Sequence, residues 1–422
     1  MYPDLVSLLA AALFAVALVH TFAARHLERL SHRYPRHAGL FHLLGEVEVV
    51  FGFWAIVLVA LMALAAGGAE ALAYVESRNY TEPLFVFVVM VIAASRPVLW
   101  SATAATHALA GRMRWMRRPT AIAWLGLAVV PLLGSAVTEP AAMTIAALML
   151  APVVFRRAVP PLPKYLALGT LFVNVSIGGT LTAYAAPPVL MVAGAWQWDS
   201  AFMLQTFGWK AALAVLLNAS LATAVLARHL RDLPDGPTAP KDVRPPVPVA
   251  VVAVHLALLA AVVVFAHHPV VFIGLFLLFV GYTQAYSRHQ SPLILKEALL
   301  VAFFLAGLVV LGGLQRWWLQ PIVEGLAPLA LFFGALGLTA ITDNAALTYL
   351  GSLIEGLSDP ARYMLVAGAV AGGGLTVIAN APNPAGVALL KRGFADDTVE
   401  AGGLLLGALA PTAVAALAFL LL

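Results

Sequence analysis

The chain has 422 residues, 62% of them hydrophobic and only 10% charged, with a net charge of +4 and no cysteine. Soluble domains carry roughly a quarter charged residues, so an ordinary soluble domain is excluded. Without cysteine there is no disulfide, no thiolate metal site and no sulfur redox centre. The basic residues sit in short stretches between apolar runs, which is no nucleic-acid signal; the partner expected is the lipid bilayer.

Apolar runs of roughly 18 or more residues recur along the length, the pattern of an all-α polytopic membrane protein. In chain order the expected spans are 4–24, 39–66, 82–110, 119–157, 163–197, 202–228, 247–266, 269–287, 294–314, 321–358, 361–391 and 402–422. The first is read as a retained helix and not a signal peptide, because Asp4 precedes it and its arginines follow. Four spans (119–157, 163–197, 321–358 and 361–391) are too long or too interrupted for simple spanning helices. That leaves about ten transmembrane helices and two hairpins.

The Lys and Arg residues choose the orientation, since cytoplasmic loops are enriched in them. They gather after the first helix (Arg25, Arg29, Arg33, Arg36), after the third (Arg112, Arg114, Arg117, Arg118), at Arg156, Arg157 and Lys164, and in the stretch 229–246 with its flanks. Loops of opposite parity carry few. The expected result is a cytoplasmic linker at 229–246 and both termini on the outer side of a plasma membrane.

Thr342-Asp343-Asn344-Ala345-Ala346-Leu347-Thr348 puts an acid and an amide inside a very apolar span, and Thr138-Glu139-Pro140-Ala141-Ala142-Met143-Thr144 echoes it. Charges at membrane depth are rare and usually functional. By the flanking charges, 119–157 enters and leaves on the inside, and 321–358 on the outside. Each is either a re-entrant hairpin or two full helices. Arms of about 17 residues, about 25 Å at 1.5 Å per residue, fit both; tips without Gly or a polar run favour the re-entrant form.

The spans that follow are interrupted at matching places, by Gly178-Gly179-Thr180-Leu181-Thr182 with Pro187-Pro188 and by Gly372-Gly373-Gly374-Leu375-Thr376 with Asn380, Pro382, Asn383 and Pro384. Paired interruptions of this kind point to a transporter binding site between inverted repeats. Glu82-Pro83-Leu84-Phe85-Val86 and Glu297-Ala298-Leu299-Leu300-Val301 add a weaker match. The chain therefore divides into a first inverted repeat, 1–228 (scaffold helices 4–110, hairpin 119–157, broken helix 163–197, helix 202–228), the linker 229–246, and a second repeat, 247–422 (scaffold helices 247–314, hairpin 321–358, broken helix 361–391, helix 402–422).

Asp343 and Glu139 are the leading candidates for chemistry. Low dielectric disfavours the charged form of a lone carboxylate, and a bound cation reverses that preference, so one group can hold a proton or a cation. Oxygen ligands would come from Thr138, Thr342, Asn344, Thr180, Thr182, Thr376, Asn380 and Asn383, with Asn174 as a further polar group. Asn344 stands beside Asp343 where Pro140 stands beside Glu139, which places Na⁺ at Asp343 and its neighbours. Glu46, Glu48 and Arg96 fall at similar depth and read as a structural ion pair between neighbouring helices. His267 and His268 read as a solvated loop pair, and Trp196, Trp198, Trp317 and Trp318 as interfacial anchors.

Paired hairpins, each followed by a Gly-Thr-Pro interruption, resemble the ion transporter superfamily that includes NhaD-type Na⁺/H⁺ antiporters, arsenite permeases and dicarboxylate carriers. Thr342-Asp343-Asn344-Ala345-Ala346-Leu347, with the run from Gly374 to Asn383, is most similar to its subfamily described as putative Na⁺/H⁺ antiporters. The resemblance spans nearly the whole chain. It implies a homodimer in a bacterial inner membrane, with scaffold helices and a moving domain of hairpins and broken helices working as an elevator. Dicarboxylate carriers place Ser-Asn-Thr at the tips, where this chain has acids that would repel an anion.

The expectation is a secondary antiporter exchanging Na⁺ or Li⁺ for H⁺, with no cofactor beyond the transported ions. A coupled carrier of a small anion or oxyacid is the alternative, and an ion channel the third. An enzyme is not expected: His-Glu-x-x-His and Gly-x-Ser-x-Gly are both absent.

Overall fold

The computed structural model describes residues 5–231 and 246–422, so most of the expected linker 229–246 lies outside the described residues. Among them every regular element is helical. The chain opens with α1 (Leu5–Arg33), α2 (Ala38–Gly45), α3 (Val47–Ala65) and the short α4 (Gly68–Glu76). Next come α5 (Thr81–Ala93), α6 (Arg96–Arg112), α7 (Arg118–Leu127), α8 (Val129–Val137) and α9 (Glu139–Leu150). Then α10 (Pro161–Gly178), α11 (Pro187–Trp196), α12 (Ser200–Met203) and, after a π-helical turn, α13 (Trp209–Ala227) lead to the linker. Beyond it lie α14 (Val249–Val264), α15 (Pro269–Ala285), α16 (Leu295–Gly312), α17 (Arg316–Glu324) and α18 (Pro328–Thr339). Finally come α19 (Asn344–Ser352), α20 (Asp359–Gly372), α21 (Asn383–Leu390) and α22 (Ala401–Leu421).

Among the described residues five helices are long and apolar enough to cross a membrane, and seven if each of two bent pairs counts as one span. This is the build of a multi-pass membrane protein. The number falls below the ten expected partly because α14 and α15 have only 16 and 17 residues. Breaks shorten others.

The breaks have local causes. The run 82–110, expected as one helix, is two, bent by 62° between α5 and α6. Pro97 has no N–H to return to the Ala93 carbonyl, and Ser95 is extended at ψ 147°. The first part of the run 119–157 is likewise bent, by 41° between α7 and α8. Pro131 leaves the Leu127 carbonyl without its usual donor, and Asn174 of α10 donates to that carbonyl at 2.7 Å. Asn174 also reaches Val215 O at 3.2 Å, and its oxygen accepts from Asn218 at 3.0 Å. Both its amide hydrogens and its oxygen are thus engaged in holding α7, α10 and α13 together. Asn174→Ala should lower stability by about 1–3 kcal/mol per group left unpaired. Thermal unfolding in detergent checks this, with transport per folded molecule unchanged.

The run 321–358, expected as one hairpin, is divided among several helices, of which α18 begins at Pro328. Residues 316–324 form the separate helix α17, which buries no residue and pairs Arg316 with Glu355. Trp198, expected at the interface, is instead buried and stacks on Phe202 at 4.8 Å. Trp317 stays exposed, as do His267 and His268 in the loop between α14 and α15.

The apolar interior falls into two large clusters. One is built mainly on α7, α9, α10, α13, α20 and α22. The other rests on α1, α3, α5, α15 and α16, and it takes in Ala141 near the start of α9 and Ala345 and Ala346 near the start of α19. The acid-bearing helices exchange partners across the chain. α9, which starts at Glu139, packs on α21, and α19, which follows Asp343, packs on α11.

Candidate functional site

Glu139 is the first residue of α9 and is fully buried. Thr138 caps that helix, its hydroxyl accepting from Ala141 N at 3.4 Å. The α9 N-terminus therefore presents a carboxylate where the helix dipole favours negative charge. Asn380 Nδ2 donates to Glu139 Oε2 at 2.8 Å, and Oε1 has no hydrogen-bond partner. A methyl group at Gly179 would lie 2.6 Å from that same Oε1, so glycine is what lets the first interrupted helix approach.

Asn380 lies in the second interruption, residues 373–382 between α20 and α21. Such a break frees backbone carbonyls, and side chains take them up here. Asn383 Nδ2 donates to Gly373 O at 2.8 Å and Thr376 O at 2.9 Å; Thr376 Oγ1 donates to Ala340 O at 2.8 Å. The backbone of Asn344 donates to Ala379 O at 3.1 Å, which joins the start of α19 to this stretch. Its Nδ2 reaches Ser176 Oγ at 3.4 Å, and Ser176 in turn donates to Val370 O at 2.7 Å.

The first interruption is tied similarly. Ser135 Oγ donates to Gly178 O at 2.7 Å and accepts from Leu181 N at 3.0 Å, while Thr182 donates to Ser135 O at 2.8 Å. Thr180 bonds back to Ile177 O at 2.6 Å. Ser135 and Ser176 escaped sequence reasoning, since a serine in an apolar helix more often bonds to its own backbone. Their nearness in sequence to the tip and to the Gly pair was the available signal.

One class of atom is left over. Glu139 Oε1, Asn344 Oδ1, Asn380 Oδ1 and Asn383 Oδ1 are buried without a donor. All four belong to the hydrogen-bonded network just described, and all are acceptors. Buried acceptors without partners are costly. A carboxylate with amide oxygens is a donor set that suits a hard cation.

Asp343 has a different setting. It is the N-cap of α19, and its Oδ1 accepts from Ala345 N at 2.8 Å and Ala346 N at 3.2 Å. It is half-buried and lines a small cavity with Glu48 and Asn380. Thr342 Oγ1 bonds back to Leu338 O at 2.9 Å. The amides expected beside Asp343 are thus divided: Asn380 is held by Glu139, at the start of α9.

Glu46 and Arg96, expected at one depth, have different partners among the described residues. Glu46, at the break between α2 and α3, pairs with Lys296 at 3.1 Å and lies 3.6 Å from His42. Arg96 donates to His289 O at 3.4 Å. The 62° bend starts a new helix at Arg96 and ends the depth argument that joined it to Glu46 and Glu48.

The sequence profile of a family described as "Putative Na+/H+ antiporter" matches residues 5–422. No curated protein matches the chain. Among solved structures, the Alcanivorax borkumensis YdaH transporter is similar at 15% identity and a TM-score of 0.47, over 88% of this chain and 96% of that one.

Proposed function

Since the chain belongs to the "Putative Na+/H+ antiporter" family, we propose that it exchanges Na⁺ or Li⁺ for H⁺ by alternating access, with Glu139 as the carboxylate that holds either ion. The observation that carries this reading is the set of four buried oxygens without donors on Glu139, Asn344, Asn380 and Asn383. A cation at ionised Glu139 gives its free Oε1 the partner it lacks. A proton on Glu139 removes the charge that holds the cation, so the two ions compete for one place.

The reading includes two inverted repeats, an elevator motion of hairpins and broken helices within a homodimer, and a bacterial inner membrane with the linker cytoplasmic. The reciprocal packing of α9 on α21 and α19 on α11 supports the duplication. The division of the interior into two clusters supports a moving and a fixed part. Kinship with NhaD-type antiporters and arsenite permeases belongs to the same reading.

Purified protein in liposomes with an internal pH dye tests it. Pulses of Na⁺ or Li⁺ should move protons, and K⁺ or labelled organic acids should not. Uptake of an organic acid without cation-driven proton movement would overturn the antiport reading in favour of an anion carrier.

A further inference from the structure

Glu48 has no role so far. It lies in the first turn of α3 and faces a cavity of about 50 Å³ whose wall it shares with Thr21, Thr342, Asp343 and Asn380. That is room for a few water molecules, far from the several hundred Å³ of an organic-ligand pocket. Among the described residues no Lys, Arg or His lines it, and neither carboxylate has an ion-pair partner. Two acids therefore face one small space, with no counter-charge among the described residues.

The remaining polar atoms have one polarity. Thr21 Oγ1 donates to Ala17 O at 3.0 Å, and Thr342 Oγ1 donates to Leu338 O at 2.9 Å. Each hydroxyl has spent its hydrogen and offers only lone pairs. Asp343 Oδ1 is occupied by two backbone N–H groups, which leaves Oδ2 for the cavity. Asn380 is the independent observation. It is 1% exposed, it lines the cavity, and its Oδ1 has no partner while its Nδ2 is held by Glu139.

We infer that Glu48, Asp343 and Asn380 form a second site for a monovalent hard cation, distinct from the one at Glu139. Glu139 does not line this cavity; Asn380 is the group the two sites share. The inference rests on the antiport reading and deepens it. Each chain loads two cations, one on the carboxylate of each hairpin, and the second is closed off by a glutamate from α3.

Equilibrium binding of ²²Na⁺ to the purified, monodisperse protein tests it by stoichiometry. The wild type should bind two Na⁺ per chain, and Glu48→Gln one. Asp343→Asn should also bind one; Asn caps α19 as Asp does, so this variant serves if Glu48→Gln fails to fold. One Na⁺ on the wild type, or two on either folded variant, overturns the second site. Proton exchange in liposomes is read separately. Exchange with one bound Na⁺ sinks only this site, and two bound Na⁺ without exchange sinks only the antiport reading.

Discussion

Glu139→Gln is expected to abolish cation-driven proton movement in liposomes while the protein remains folded. The substitution keeps an oxygen and the shape, and it removes the charge. A unit charge about 4 Å from a cation contributes about 4 kcal/mol at an effective dielectric of about 20. Its loss is worth about three orders of magnitude in cation affinity. The proton acceptor is lost too, so both halves of the exchange fail. Asn380 retains a partner, because the glutamine oxygen still accepts from its Nδ2. Folding should therefore be spared, which circular dichroism and size-exclusion chromatography check. Normal exchange in this variant would remove Glu139 from the mechanism. The ranking differs from the sequence expectation, which put the ion at Asp343.

The second large effect is on assembly. Gly368 and Gly372, four apart on α20, lie on the carbonyls of α18: a methyl group at Gly368 would collide with Phe332 O, and one at Gly372 would lie 2.5 Å from Leu336 O. Small residues at this spacing let helices in a membrane approach backbone to backbone. Backbone cannot rotate aside as a flexible side chain does, so Gly368→Ala must separate α18 from α20. Overpacking of this kind costs about 1–3 kcal/mol, more where the neighbour is rigid. A lowered unfolding temperature and loss of exchange are expected together, since α18 and α20 lead directly into the stretches that hold Asp343 and Asn380. Gly334→Ala on α18 is the internal control, with nothing within 4 Å of the added methyl. It should be neutral or stabilising, as alanine favours helix over glycine by about 1 kcal/mol. Equal damage from both variants would refute the contact argument.

Much of the site could be read in advance because polar residues in apolar runs stand out. Glu139, Asn344, Asn380 and Asn383 were each nameable, and so were both Gly-Thr interruptions. What could not be read was the pairing. Glu139 and Asn380 are 241 residues apart, and each would have been assigned to its own half. The depth match of Glu46 with Arg96 counts residues along two unbroken helices, and Pro97 bends the chain between them. The Gly368–Gly372 face gives no polar signal at all, since only the partner helix shows that there is no room for a side chain.

The interruptions are fastened by side chains, with Asn383 on Gly373 O and Thr376 O, and Ser135 on Gly178 O. Their non-helical form therefore does not depend on cargo. On the proposed antiport reading, an arriving ion meets oxygens already in place, and little reorganisation stands between capture and release. A cradle of fixed dimensions also sorts ions by radius: one too large to fit between the amides is refused even though its charge is the same. Loosening Asn383 or Ser135 should therefore widen the range of ions accepted before it slows the cycle.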